Sequence, residues 1–405
     1  MTIRFDMGCC VSLVSPDTCQ AGYQIGGLMA LAHLRCGRHH PSMTATADPP
    51  RIVAGAMTGT SLDGIDAAVL AVTGHGLDMQ AAFQSHAAGS LGPAKETLAR
   101  LAGGDTVSAS DIAAATQNLS TQTAAVMQHA IGDRAVDLAG VHGQTVLHAP
   151  PYSWQVIDAA VIAETLACPV ASNMRSGDLA AGGQGAPITP LADWILFRSD
   201  VRRAVVNLGG FCNITWLPAA ADIEHITGRD VCVCNQLLDA AAADRLGEPW
   251  DAGGQHAAAT SADPSVSNAL RERLTAASDR SLGTGDEMLN WLDEPIARET
   301  PTDTLLASMA EAIGSVIGAA AGPQSDEILI AGGGGHHQPL VEAIAGAAGV
   351  PAMLSSEVGI PIEAREAACV AVLAALDRDG IPITLPGVTG RSNGTMIGMH
   401  WCQPL

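Results

Sequence analysis

From Arg51 onward, short apolar runs ending in glycine turns alternate with longer alanine-rich stretches. "RIVAGAMTGTSLDGIDAAVLAV" (51–72) reads strand, glycine turn, strand, with Ile52–Ala54 and Ala67–Val72 as the apolar halves. Residues 91–132 permit helix, and "VDLAGVHGQTVLHAP" (136–150) gives a short strand and a polar turn. Ala159–Ala167 reads as helix, and "PVASNMRSGDLAAGGQGAPITPLADWIL" (169–196) as a long glycine-rich loop entering a helix. "RAVVNLGGFCNITWLP" (203–218) is a strand–turn–strand unit, followed by helical patterns over 235–246 and 303–321. "EILIAGGGGHHQPLVEAIAGAA" (327–348) is strand, glycine loop, helix, and a last Ala/Val/Leu helix runs from Pro361 through Leu376. This order predicts an α/β protein. "GTSLDG" and "NLGGFCN" each sit between two short strands, an echo that duplicated lobes would produce.

Composition then removes whole classes of function. The chain has 405 residues with a formal net charge of −21, which disfavours an electrostatic surface for nucleic acid or anionic membrane. Lys95 is the only lysine and no glycine precedes it, so a Walker A loop is absent. The ten cysteines are irregularly spaced, and a chain of this size needs no disulfide framework. Four of them, Cys9, Cys10, Cys19 and Cys36, precede Met43 in a segment without helical or alternating pattern. Its apolar stretch at Gly26–Leu34 is too short for a spanning helix or a secretory h-region. Residues 1–50 are therefore expected outside the fold, with Met43 as an alternative start and a cytoplasmic body.

Candidate chemistry gathers at the glycine turns. Gly59, Thr60, Ser61, Leu62, Asp63, Gly64, Ile65 and Asp66 form a turn whose main-chain N–H groups and hydroxyls suit phosphate, with Asp63 able to hold Mg²⁺. An ordinary hairpin turn reads the same way. Asp63 also stands where a nucleophile elbow needs glycine. Gly209 and Gly210 with Asn213 make a second such turn, and Gly332, Gly333 and Gly334 a third, ahead of a helix N-terminus. Three turns in one chain favour a nucleotide held between two lobes. Asp230, Asp178 and Glu366 are acid–base candidates, and His142 a donor to substrate. Cys232 and Cys234 lack the further ligands of a zinc site.

These motifs resemble the anhydro-N-acetylmuramic acid kinase family. The likeness begins at "GAMTGTSLDGID" and continues in order through "VHGQTVLHAP", "DLAAGGQGAPITP", "VVNLGGFCNITWLP", the stretch from Asp230 to Asp239, "ILIAGGGG", "REAACVAVLA" and "LPGVTGRSNGTMIG", covering about residues 51–400. The resemblance implies a two-lobed actin/hexokinase-like (ASKHA) ATPase fold with ATP and Mg²⁺ in the cleft. It implies a first lobe over 51–200 and a second over 201–405, whose last helix is free to return to the first lobe. The implied reaction uses ATP and water to convert 1,6-anhydro-N-acetylmuramic acid to the 6-phosphate of N-acetylmuramic acid, in recycling of peptidoglycan. By motif, Gly59–Asp66 resembles the ATP phosphate loop and Asp230 the general base. Glu366 resembles a sugar contact, and Arg175 and Asp178 the polar residues before "GGQGAP"; His142 and Gln144 fall within the matched "VHGQTV". A small amino-sugar substrate and a homodimer follow from the same likeness, and the charge of −21 adds the expectation of no nucleic-acid or membrane partner.

The sequence departs from the family pattern at several positions. Cys232 and Cys234 replace glycines, where added side chains would crowd a ligand if the backbone approaches it. Asn173 replaces an aspartate, Ile157 a glycine and His337 an asparagine. Leu282–Glu287 loses both of the basic residues usual there. These changes leave open a related kinase acting on another sugar, or a weakly catalytic nucleotide- or sugar-binding protein.

Overall fold

Strand β1 (Arg51–Thr58) turns back into β2 (Ile65–Thr73), which turns back into β3 (Gln80–Gly89). The next strands, β4 (Leu138–His142) and β7 (Val170–Ser172), add in parallel on the other side of β1. Between them a separate hairpin is inserted, β5 (Gln144–Ala149) and β6 (Tyr152–Val156). The second half repeats this plan. β8 (Arg203–Leu208), β9 (Phe211–Leu217) and β10 (Thr227–Val233) form an antiparallel meander, and β11 (Glu327–Ala331) and β12 (Ala352–Leu354) add in parallel beside β8. The sheet orders are β13-β7-β4-β1-β2-β3 and β10-β9-β8-β11-β12, where β13 is His400–Cys402. Each sheet thus runs third, second, first, fourth, fifth strand, the duplicated plan of the actin/hexokinase-like ATPases. Parallel neighbours need crossovers, and helices supply them, Ala109–Ile131 in the first half and Gln338–Ala348 in the second.

The structure, a computed structural model, describes residues 49–59, 61–219, 222–275, 282, 288–392 and 398–404. The expected N-terminal extension up to residue 48, with Cys9, Cys10, Cys19, Cys36 and Met43, lies outside the described residues, as do Thr60 and residues 283–287. Both sheets belong to one compact unit, Asp48–Leu405.

The helix Arg365–Arg378 is the centre of the molecule. Every residue from Ala367 to Leu376 is 0% exposed, as a helix apolar on all faces must be. It shares one core with Val53 and Leu70 of the first sheet and with Val205 and Leu329 of the second. Two glycines in the first sheet allow this approach. A Cβ on Gly55 would stand 2.1 Å from the Ala367 carbonyl oxygen and 2.5 Å from the Ala371 nitrogen. On Gly140 it would stand 2.8 Å from the Val370 carbonyl oxygen. We therefore expect Gly55→Ala to cost about 3 kcal/mol, because helix backbone must retreat from the sheet. The midpoint of chemical denaturation measures it, and an unchanged midpoint would remove the close-packing argument.

The helix Thr302–Ala321 fills the core of the second half. The segment Thr302–Gln324 is long and apolar enough to span a membrane, but 72% of its apolar window is buried inside the protein. Strand β3 was not resolved by the sequence pattern, and its alternation of half-buried and exposed residues explains why.

Candidate active site

The first glycine turn joins β1 to β2. The Leu62 amide donates to the Gly59 carbonyl at 3.3 Å, closing a tight turn with Leu62 at φ 55°. The Ser61 hydroxyl and the Asp63 carboxylate fold back over Gly59, at 3.2 and 3.8 Å from where its Cβ would be. Gly64 faces the Gly89 carbonyl of β3 just as closely, at 3.0 Å. Gln144 Nε2 donates to the Gly59 carbonyl at 3.0 Å, so the turn is anchored from the next hairpin. Ile65 is 0% exposed, so its side chain belongs to the core and only its main chain can meet a ligand. Asp66 accepts from His86 at 2.8 Å.

The second and third glycine turns meet each other. The Gly209 carbonyl accepts from the Asn235 amide at 3.1 Å, and the Gly210 carbonyl from the Cys234 amide at 2.8 Å. The β8–β9 turn is thereby tied to the start of the helix Asn235–Leu246. Asn235 Nδ2 donates to the Leu208 carbonyl. Gly332, at φ 86°, leaves no room for a side chain, whose Cβ would lie 2.7 Å from the Leu208 carbonyl and 2.9 Å from Asn207 Oδ1. Gly334 is equally enclosed, by Asn235 Oδ1 at 2.7 Å. Gly333 is exposed, with nothing nearer to its Cβ position than Asn235 Nδ2 at 4.0 Å. It is the member of the run that a ligand can approach.

Register assembles the polar centre. Asn213 on β9 lies directly opposite Asn207 on β8 and opposite Asp230 on β10. Cross-strand partners share a face, so Asn207, Asn213 and Asp230 form one row across three strands. Asn207 Nδ2 donates to Glu366 Oε1 at 3.2 Å, adding the first turn of the central helix to that row. Asp230 Oδ2 accepts from the Leu282 amide at 2.8 Å. Asn207 was not among the sequence candidates; its signal is its place opposite Asn213 across the glycine turn.

Arg175, from the first half, is within electrostatic reach of this row. Burial pulls its pKa down to about 10, against the attraction of Asp230, Glu366 and Asp178, so it stays charged at neutral pH. Its Nε donates to His142 Nε2 at 3.1 Å and its Nη1 to the Gly185 carbonyl at 2.7 Å. Burial first, and the Arg175 charge second, keep the His142 pKa well below 6.5. Asp178 stands apart from the ligand-facing groups. It is 0% exposed; Oδ1 accepts from Thr384 and Thr389, each at 2.7 Å, and Oδ2 from the Gly185 amide at 2.7 Å. It ties the "GGQGAP" loop to the 384–391 segment from inside.

Carboxylates also converge. Burial raises the Glu366 pKa, with Asp66 and Asp63 adding to the rise while Arg365 opposes it. Asp239, one turn into its helix, is pushed up to about 6 by burial and by Asp63. Asp63 is therefore within electrostatic reach of groups from two other elements.

The departures from the family pattern are mostly directed elsewhere. Cys232 and Cys234 are 2% and 0% exposed and lie in the core of the second half, so their side chains do not crowd a ligand. Burial pushes the Cys232 thiol up to about 12, which makes it unreactive. Asn173 takes a left-handed conformation, φ 58°, and its amide lies 3.2 Å from His400 on β13. His337 Nδ1 accepts from the Leu340 amide at 3.3 Å, capping the helix Gln338–Ala348. Ile157 packs against the first-sheet core.

The family model for anhydro-N-acetylmuramic acid kinase matches residues 51–403. A protein of that name from Salinibacter ruber is 33% identical over 385 residues, covering 86% of this chain and 95% of that protein. Another from Rhizorhabdus wittichii is 34% identical over 355 residues, covering 84% and 95%. Among solved structures, a ROK family glucokinase from Streptomyces griseus in complex with glucose and AMPPNP aligns with 80% of this chain and 98% of its own, at 14% identity and a TM-score of 0.38.

Proposed function

The chain belongs to the anhydro-N-acetylmuramic acid kinase family, and from its site we propose the roles of its residues in that reaction. It is a kinase, and ATP is its phosphoryl donor. Asp230 is the general base. It takes a proton from water as the water oxygen bonds to C1 of the 1,6-anhydro sugar and the C1–O6 bond breaks. O6 then takes the γ-phosphoryl group and ADP leaves. The product is N-acetylmuramic acid 6-phosphate.

The observation that carries this reading is the row Asn207–Asn213–Asp230, ending on Glu366 and attracted by Arg175. Phosphoryl transfer depends mainly on positioning and charge, and this row supplies carboxylates and amides on fixed sheet positions. Glu366 and Arg175 contact the sugar, and His142 orients Arg175. Asp178 acts as a support for the loop that carries Gly185. The turns Gly59–Asp66, Gly209–Gly210 and Gly332–Gly334 receive ATP, with Asn213 beside the phosphates and Gly333 as the open point of the third turn.

Mg²⁺ belongs to the same proposal. Among the described residues no three His, Cys, Asp or Glu side chains are grouped to cage a metal. That fits Mg²⁺, which keeps several waters and binds through one or two carboxylates plus phosphate oxygens. Asp63 is the residue to hold it, since Asp239 and Glu366 both feel its negative charge. The ion would neutralise charge on the transferring phosphoryl group. On the family resemblance, a cytoplasmic location, a homodimer and a first lobe ending near residue 200 complete the reading.

The test is direct. The purified chain with Mg²⁺, ATP and 1,6-anhydro-N-acetylmuramic acid should release ADP and yield a sugar heavier by one water and one phosphoryl group. ADP release without that sugar product, or no release at all, would overturn the reading. A different acceptor gains little support, since Asn173, Cys232, Cys234 and His337 all have partners or packing away from the polar row.

A further inference from the structure

The hairpin β5–β6 starts two residues after His142 and is turned the wrong way for a surface element. Register pairs Leu147 with Trp154 and Ala149 with Tyr152 on one face, and Thr145 with Gln155 and His148 with Ser153 on the other. The apolar face is the open one, with Leu147, Tyr152 and Trp154 at 48%, 70% and 43% exposure. The four polar side chains are half-buried instead. A polar face turned inward implies a polar space beneath it. Burial first, and then the Arg175 charge, bring the His148 pKa down to about 4, so the ring is neutral.

The hydrogen bonds on that face fix the ring. Gln155 Nε2 donates to Ser153 Oγ at 2.8 Å, and Ser153 Oγ lies 2.9 Å from His148 Nδ1. Nδ1 is thereby engaged in either tautomer of the neutral ring. His148 Nε2 is buried with no hydrogen-bond partner among the described residues. Buried polar atoms of this kind normally have a partner. The base of the same hairpin is fixed to the phosphate turn through Gln144 and the Gly59 carbonyl.

We propose that the polar face of β5–β6 is a wall of the acceptor-sugar site, where His148 Nε2 hydrogen-bonds a polar group of the sugar. The inference rests on the kinase reading above and deepens it. Ser153, itself held by Gln155, fixes the imidazole through Nδ1.

His148→Asn keeps an amide near the Nδ1 position and removes the atom at Nε2. In the full chain it should raise KM for 1,6-anhydro-N-acetylmuramic acid about tenfold, the value of one lost hydrogen bond to substrate, and leave KM for ATP unchanged. Calorimetric binding of the same sugar to protein loaded with a non-hydrolysable ATP analogue should weaken by the same factor, and needs no turnover. Unchanged ATP affinity reports that the variant is folded. Equal sugar affinity in the two proteins, or loss of ATP and sugar binding in step, would overturn the proposal while leaving the kinase reading in place if the parent protein turns over. A parent protein that neither binds nor phosphorylates the sugar would overturn both.

Discussion

Asp230→Asn should lower turnover by about 10²–10⁴-fold while ATP binds as before. The substitution preserves shape, and its amide oxygen can still accept from the Leu282 amide that now donates to Asp230 Oδ2. The neighbouring row on β8 and β9 needs no rearrangement, because Asn207 and Asn213 are already neutral amides. What is lost is the ability to take a proton from water. Steady-state ADP release measures the rate and calorimetry the ATP affinity. A variant within about threefold of the parent rate would remove Asp230 as the base. A variant that also lost ATP affinity would mean that Asp230 serves the fold or the nucleotide instead. Asp178 illustrates why both readouts matter: its carboxylate is internal, and changing it would disturb Gly185, Thr384 and Thr389 together.

The glycine turns and most helices could be read from the chain because their signals are local. "GTSLDG" and "NLGGFCN" both proved to be first-to-second strand turns of similarly ordered sheets, so the faint echo in the sequence reflects a repeat in topology. The polar row is another matter. Asn207 and Asn213 lie symmetrically about Gly210, but their pairing depends on hairpin register, and Asp230 joins them only through the register of β9 with β10. A bulge between Asp230 and Cys232 resets the faces at that point. That is why Asp230 stands beside the polar row while Cys232 is in the core. Counting residues by twos would have placed both on one side. The hairpin β5–β6 eluded pattern reading for a related reason. Its polar positions face inward, so the usual inference from polarity to exposure reverses. The helix Arg365–Arg378 announces its burial by apolar residues on every face, whereas its location between two sheets rests on Gly55 and Gly140, far away in sequence.

Next to Glu366, the buried pair of Arg365 and Asp193 should be among the most costly single positions in the protein. Both side chains are at most 1% exposed. Arg365 Nε donates to Asp193 Oδ1 at 2.8 Å, a second guanidinium nitrogen donates to Asp193 Oδ2, and the Thr215 hydroxyl donates to the same Oδ2 at 2.8 Å. Burial alone would pull the Arg365 pKa down, yet Asp193 outweighs it and the guanidinium stays charged. The three partners come from the central helix, from the helix Pro190–Phe197 and from β9 of the second sheet, so the pair ties these elements together one residue from Glu366. Asp193→Leu leaves a buried cation without its counter-charge and should cost about 3–5 kcal/mol in a denaturant titration, and Arg365→Met a similar amount. The double variant Asp193→Leu, Arg365→Met removes both charges and fills the space with apolar atoms, so it should lose far less than the sum of the two single changes. A double variant whose loss equals the sum would mean that each residue acts separately and that the pair does not fix the helix start. If the pair does fix it, the stable double variant should still bind sugar more weakly, because Glu366 is the next residue on a helix turn that has lost its anchor to Asp193.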